Sequence, residues 1–178
     1  RLLSRGLGDV YKRQGGDECL RFSGATQIDR TNVAELEVAW TYHSGDGRGN
    51  IQCNPIVVDG VVYAPTVGGR IVAIDALRGD EIWRRKMPSR PAFRGLTYWG
   101  GGFGAPARLF FATEDRHLNA LDPKSGRPDE AFGTGGRVRL REGARVAPVI
   151  FERTIVIAGF LRDVEAFDVI TGEFRWRF

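Results

Sequence analysis

The sequence predicts an all-β chain, part of a β-propeller made of a little over three four-stranded blades. Three observations carry that reading. A strand-rich unit recurs with Asp75, Asp122 and Asp168 at steps of 47 and 46 residues, a period typical of propeller blades. Short Val, Ile and Phe runs stand where a helical protein would show apolar stripes at 3.6 spacing. The pattern Ala-x-Asp-x-x-x-Gly-x-x-x-Trp appears at Ala73/Asp75/Gly79/Trp83 and again at Ala166/Asp168/Gly172/Trp176.

In the first unit, residues 56–58 and 61–64 are β-branched runs joined by Asp59-Gly60, a two-residue signal for a type I′ hairpin. Strands over residues 70–74 and 81–85 follow, linked by the turn from Asp75 to Gly79. In the second unit the pattern predicts strands over 108–112 and 117–121. There Phe132 arrives two residues later than the tryptophan of the other units, so the turn after Asp122 is expanded. The third unit predicts strands over 149–151, 154–158, 164–167 and 173–177, with Glu152-Arg153 making a weaker hairpin turn than Asp-Gly. Trp40, closing LEVAW, reads as the last strand of an earlier unit. Within each motif the Asp can cap the turn, the Gly can take positive φ, and the Trp offers a flat surface for packing between blades. Trp83 and Trp176 are therefore expected largely buried in equivalent positions.

With 24 glycines among 178 residues, 42% hydrophobic and 27% charged, the composition is that of a folded globular chain. The longest apolar run, residues 155–161, is far short of the roughly twenty residues a membrane-spanning helix needs. The formal charge of +4 does not describe a nucleic-acid surface. Arg1, Arg5, Lys12 and Arg13 against Asp9 account for most of it, and the remaining charges alternate in sign. Residues 1–14 show no alternation, no amphipathic face and no apolar leader core, and they resemble translated adapter sequence. They are set aside as an artefactual or disordered tail, leaving residues 15–178 as propeller.

Several stretches beyond the repeat resemble the quinoprotein dehydrogenases, eight-bladed propellers that bind pyrroloquinoline quinone (PQQ). They are GGDECLRFSGATQIDRTNVAELEVAW, IQCNPIVVDGVVYAPT, RGLTYW and GRPDEAFGTGGRVRL, the last similar to the glucose-dehydrogenase branch. The resemblance implies the N-terminal part of an enzyme oxidising a sugar, polyol or alcohol in the periplasm. Electrons would pass to ubiquinone or cytochrome c, with PQQ and Ca²⁺ as cofactors. Eight blades need more residues than this chain has, so the resemblance implies a fragment that would be inactive by itself.

The resemblance places Arg94, in RGLTYW, beside the quinone, where a guanidinium suits carboxylates; the plain alternative is a solvated loop arginine. Trp99 falls where the branch puts a ring or His near the cofactor, or else it simply packs in the core. Gln52 stands where many members carry a glutamate, or is a polar residue at a strand end. No catalytic base is expected within these residues, and the metal ligands are unknown. The Ser-Gly-Ala-Glu loop of the methanol-type branch is replaced by IAGFLRDVEAFD, so no ligand role carries to Asp163 or Glu165. Cys19 and Cys53 allow one disulfide but read as free thiols. The Gly100–Gly104 and Gly133–Gly136 runs lack the strand-loop-helix form of a phosphate cradle. His43 and His117 have no metal-ligand spacing. The alternative function is a non-catalytic propeller of the same repeat, such as the lipoprotein that scaffolds outer-membrane barrel assembly. A lactonase-like hydrolase would need metal ligands that are missing from the pattern. Nothing in the sequence shows how the protein associates with a membrane.

Overall fold

The computed structural model describes residues 26–92 and 94–178. The tail assigned to residues 1–14, and Cys19, lie outside the described residues. Twelve strands form three four-stranded antiparallel sheets, each following chain order. The first holds β1 (Ile56–Val58), β2 (Val61–Pro65), β3 (Arg70–Asp75) and β4 (Glu81–Lys86). The second holds β5 (Thr97–Trp99), β6 (Arg108–Thr113), β7 (His117–Leu121) and β8 (Arg137–Arg139). The third holds β9 (Val149–Phe151), β10 (Thr154–Ala158), β11 (Val164–Asp168) and β12 (Phe174–Arg177). The described residues before Ile56 include a short 3₁₀ turn, Val33–Glu35, and no helix longer than that.

The hairpins obey their turn chemistry. Asp59 and Gly60 sit at φ 48° and 78°, and Val58 pairs with Val61. In the third sheet Glu152 carries a positive φ of 50°, and Phe151 pairs with Thr154 in the same register. Its weaker turn is supported from outside, because Arg153 Nε donates to Asp168 at 2.7 Å.

Two strands were not foreseen. β5 is Thr-Tyr-Trp, β-prone in residue type but only three residues long among glycines, and β8 is Arg-Val-Arg, so neither stands out as a strand in the sequence. Both exist because a neighbour offers a ladder, β6 for the one and β7 for the other. Tertiary pairing overrides local propensity at β8, and at β5 it completes a run too short to form alone.

The sheets pack face to face in order. β6 is buried along its whole length, and its alternation sends Leu109 and Phe111 toward the first sheet, Phe110 and Ala112 toward the third. One core joins Ile56, Tyr63, Ile71 and Ala73 to Leu109, Phe111 and Leu121. A second joins Phe110, Leu118 and Ala120 to Ile155, Ile157, Phe167 and Val169. A strand buried on both faces needs a continuous apolar run, and the LFFA of residues 109–112 supplies it.

The Asp turns lock the sheets together at one end. In each, the Asp side chain accepts backbone N–H bonds from two or three residues on: Leu77 and Arg78 on Asp75, Lys124 on Asp122, Ile170 and Thr171 on Asp168. Gly79, Gly126 and Gly172 then take φ of 78°, 66° and 76° and leave a flat seat without a Cβ. The tryptophan of the preceding unit fills the seats on Gly79 and Gly126, and Phe132 stands at the seat on Gly172. A Cβ on Gly79 would lie 2.7 Å from Trp40 Cγ, and one on Gly126 would lie 2.6 Å from Trp83 Cε3. Trp40 Nε1 donates to Ala76 O at 3.0 Å, and Trp83 Nε1 to Pro123 O at 2.8 Å.

The expectation that both Trp83 and Trp176 are largely buried is corrected. Their positions correspond, opposite Ala73 and Ala166 beside the same bulge. Yet Trp83 is only half-buried, its ring seated on one face, and Trp176 is 45% exposed. No described turn stands against Trp176 as Asp122–Gly126 stands against Trp83.

Candidate functional site

In an antiparallel meander, the segment entering the first strand and the turn joining the second and third strands lie at one end. The Asp turns occupy the other end. Backbone bonds tie the entry segments and second turns together: Met87 N donates to Gly69 O, Glu114 N to Arg90 O, Leu140 N to Arg116 O and Phe160 N to Gly143 O. Thr97 Oγ1 adds a short bond to Pro148 O across the second and third sheets.

Gln52 enters β1 and Arg94 enters β5, so the structure brings both to this end. Their segments touch. A Cβ on Gly95, which has φ 118°, would lie 3.6 Å from both Asn54 O and Cys53 Sγ. Gln52 and Arg94 are exposed, and among the described residues neither has a hydrogen-bond or ion-pair partner. Arg94 therefore keeps an unspent guanidinium, and the neighbouring segment carries an amide, Gln52, that can donate and accept. Cys53 is a free thiol that donates to Asn54 O, and burial pushes its pKa up to about 11, so it stays protonated at neutral pH.

Upstream of this segment the chain is anchored by Asp46. Burial alone would raise its carboxyl pKa. Hydrogen bonds from Thr66, Ser44 and the Gly68 N–H, with the Arg70 guanidinium at 2.8 Å, bring it instead down to about 2. The ionised carboxylate pins residues 44–46 against the β2–β3 turn, six residues before Gln52.

Trp99 is elsewhere. It closes β5, toward the Asp-turn end, with 8% of its surface exposed, and belongs to the core between the second and third sheets. The Arg108 guanidinium lies 5.9 Å from its ring centroid. The structure thus brings the segments of Gln52 and Arg94 to the same end and places Trp99 at the other end of β5.

Arg108 is the residue that sequence reasoning missed. It is fully buried, with Nε 2.7 Å from Asp129 Oδ2, and Nη1 donating to Val169 O and Ile170 O at 2.7 and 2.6 Å. The visible signal was Phe132 standing where the other units have Trp. An indole N–H was missing from that junction, and some other donor had to serve Val169 O.

The acids near the third sheet are committed to cations. Glu165 is buried, accepting from Arg177 Nη2 and from the Arg141 backbone N–H, both at 2.8 Å. Asp163 faces Arg141 Nε at 3.3 Å and Arg177 Nε at 3.6 Å. Among the described residues no three His, Cys, Asp or Glu side chains gather as a metal site. The glycines at 100–104 shape the β5–β6 connection, where Gly102 and Ala105 exchange backbone bonds at 2.9 and 3.0 Å.

Comparison with known proteins agrees with this architecture. The chain is 33% identical to the dehydrogenase subunit of an alcohol dehydrogenase (quinone) from Gluconacetobacter polyoxogenes, over 95% of its own length and 24% of the relative's. It is 29% identical to the quinate/shikimate dehydrogenase (quinone) of Acinetobacter baylyi, over 96% of itself and 27% of that protein. The chain spans about a quarter of the length of these curated relatives. Among solved structures it resembles the quinohemoprotein alcohol dehydrogenase of Comamonas testosteroni, with a TM-score of 0.72 and 26% identity over 94% of the chain and 27% of that structure. BamB from Moraxella catarrhalis, at TM-score 0.59 and 24% identity over 79% of the chain and 39% of that structure, shares the fold. Residues 10–178 match the family described as "PQQ: Glucose/ethanol/alcohol dehydrogenase, beta-propeller domain", a match that begins inside the segment set aside as a tail, and the chain belongs to that family.

Proposed function

We propose that this chain is part of a PQQ-dependent dehydrogenase acting on a sugar, polyol or alcohol in the periplasm, with electrons delivered to ubiquinone or a cytochrome. The observation that supports the proposal is the close approach of Gly95 to Cys53 and Asn54, which brings the segments that carry Arg94 and Gln52 together at one end of the sheets. An exposed planar fork of donors and a neighbouring amide fit a flat, carboxylate-bearing quinone. Arg94 binds a carboxylate of that group, Gln52 donates to an adjacent oxygen, and Trp99 supports them as a buried anchor at the far end of β5. Bound PQQ supplies the electron-accepting carbon centre for alcohol oxidation. The same reading brings a calcium ion, but its ligands are not assembled among the described residues. Asp163 and Glu165 are both turned toward arginines, and no ligand role is assigned to either.

Titrating PQQ into a full-length protein that carries this chain, and into its Arg94→Ala variant, tests this, with binding followed by tryptophan quenching. Loss of a charge-assisted hydrogen bond is worth about 1.5–3 kcal/mol, so affinity should fall by about ten- to a hundredfold. Equal affinities would remove Arg94 from the site. No binding by a full-length protein that carries this chain would favour a scaffold instead.

A further inference from the structure

A cleft of about 480 Å³ opens between the second and third sheets, at the same end as Arg94. Its size is that of a small-molecule pocket. Pro91, Ala92 and Ala144 give it an apolar base, and Phe160 and Leu161 one wall. Three arginines, Arg116, Arg141 and Arg145, and two acids, Glu114 and Glu142, complete the lining.

These charges are not equally available. Glu142 Oε2 accepts the Leu161 and Arg162 backbone N–H groups at 3.0 and 3.3 Å, and those bonds hold its carboxyl below the usual range. Arg141 faces Asp163. Arg145 lies over the Phe160 ring, 4.5 Å from its centroid, and among the described residues it has no carboxylate partner. Arg116 makes only a 3.5 Å bond, from Nη1 to Arg141 O, while its backbone is held at φ 63°. Two guanidinia are therefore left to face the cleft, one of them preorganised on an aromatic ring. The Glu114 carboxylate has no side-chain partner among the described residues and stands two positions from Arg116.

We infer that this cleft binds a hydroxy acid. Arg145 and Arg116 take its carboxylate, and Glu114 accepts hydrogen bonds from its hydroxyls. A neutral polyol would leave both guanidinia unanswered, so the cleft selects the acid over the alcohol of the same skeleton. That the hydroxy acid is the oxidised substrate rests on the quinoprotein reading, whereas the preference for a carboxylate does not.

Gluconate and sorbitol share a skeleton and differ at one terminal carbon, which makes them a matched pair of probes. Calorimetric titration of the protein without PQQ should show saturable gluconate binding and at least tenfold weaker sorbitol binding. Arg145→Gln and Arg116→Gln, both at exposed positions, should each weaken gluconate at least fivefold, and Arg145→Lys should recover part of the loss. Equal binding of the two probes, no gluconate binding, or unchanged affinity in both Gln variants would overturn the inference. So would competition in which PQQ displaces gluconate, because the cleft would then be the cofactor's own. Gluconate binding that persists when Arg94→Ala leaves PQQ affinity unchanged would keep the cleft and discard the Arg94 site.

Discussion

Between the first two sheets the Trp83 indole N–H takes the Pro123 carbonyl; between the second and third, Phe132 has no N–H to give, and Arg108 Nη1 takes the equivalent carbonyl of Val169. Phe132 still fills the seat on Gly172, its Cε2 3.3 Å from where a Cβ would stand. The tryptophan's two tasks, stacking and donating, are thus divided between two residues. The guanidinium is costly to desolvate, and its Nη2 has no hydrogen-bond partner. Asp129 neutralises it, and the Trp99 and Phe132 rings each lie 5.9 Å away. Removing it strands a carboxylate and two carbonyls, so Arg108→Leu should lower stability by about 3–5 kcal/mol. Arg108→Lys should not restore it, since an ammonium lacks the fork that spans Asp129 and Val169. Urea unfolding midpoints of the three proteins would decide this, and a Lys variant as stable as the wild type would refute the fork argument.

Ten of the twelve strands were legible because their residues carry the signal themselves, in β-branched runs, an Asp-Gly hairpin and Asp-x-x-x-Gly turns. β8 carries none, and β5 is a Thr-Tyr-Trp run too short to read among glycines, so both are strands only through their partners. The candidate site was legible in part, because RGLTYW and IQCNP mark Arg94 and Gln52 through resemblance. Which end of β5 Trp99 occupies depends on where a three-residue strand begins and ends, and a sequence does not show that. The arginine cleft was invisible because its residues come from four loops whose proximity is set by sheet packing. The repeated turn yields its own test. Gly126→Ala would place a Cβ 2.6 Å from Trp83 Cε3 and force a non-glycine residue to φ 66°. Strain at that φ costs about 1–2 kcal/mol and the overpacked indole about 1–3 kcal/mol. Thermal melts should show a clear loss, while alanine at Gly60, whose Cβ would meet nothing within 4 Å, should cost less. Equal losses at the two sites would mean that the indole seat contributes nothing.

At the scale of the whole molecule, each sheet covers the face of the one before it, and the third sheet's outward face shows what an uncovered one looks like. Ile56 in β1 is fully buried beneath the second sheet, whereas Val149, at the corresponding place in β9, is 63% exposed. Phe151 and Trp176 are 71% and 45% exposed on the same sheet. Contiguous apolar surface of this kind drives association, and a sheet built to receive another sheet gives it a matching shape. Partially filled propellers also keep strand edges with unpaired N–H and C=O groups, which add a template for pairing. The 178-residue chain should therefore self-associate, with mass rising with concentration in size-exclusion chromatography coupled to light scattering. Val149→Ser combined with Trp176→Ser should shift it toward monomer without loss of the cores, because neither side chain belongs to them. Edge pairing would respond differently, persisting in that double variant while yielding to a charge or proline on an exposed edge strand such as β12. If the wild-type chain is monomeric across the accessible concentration range, the outward face does not act as an association surface.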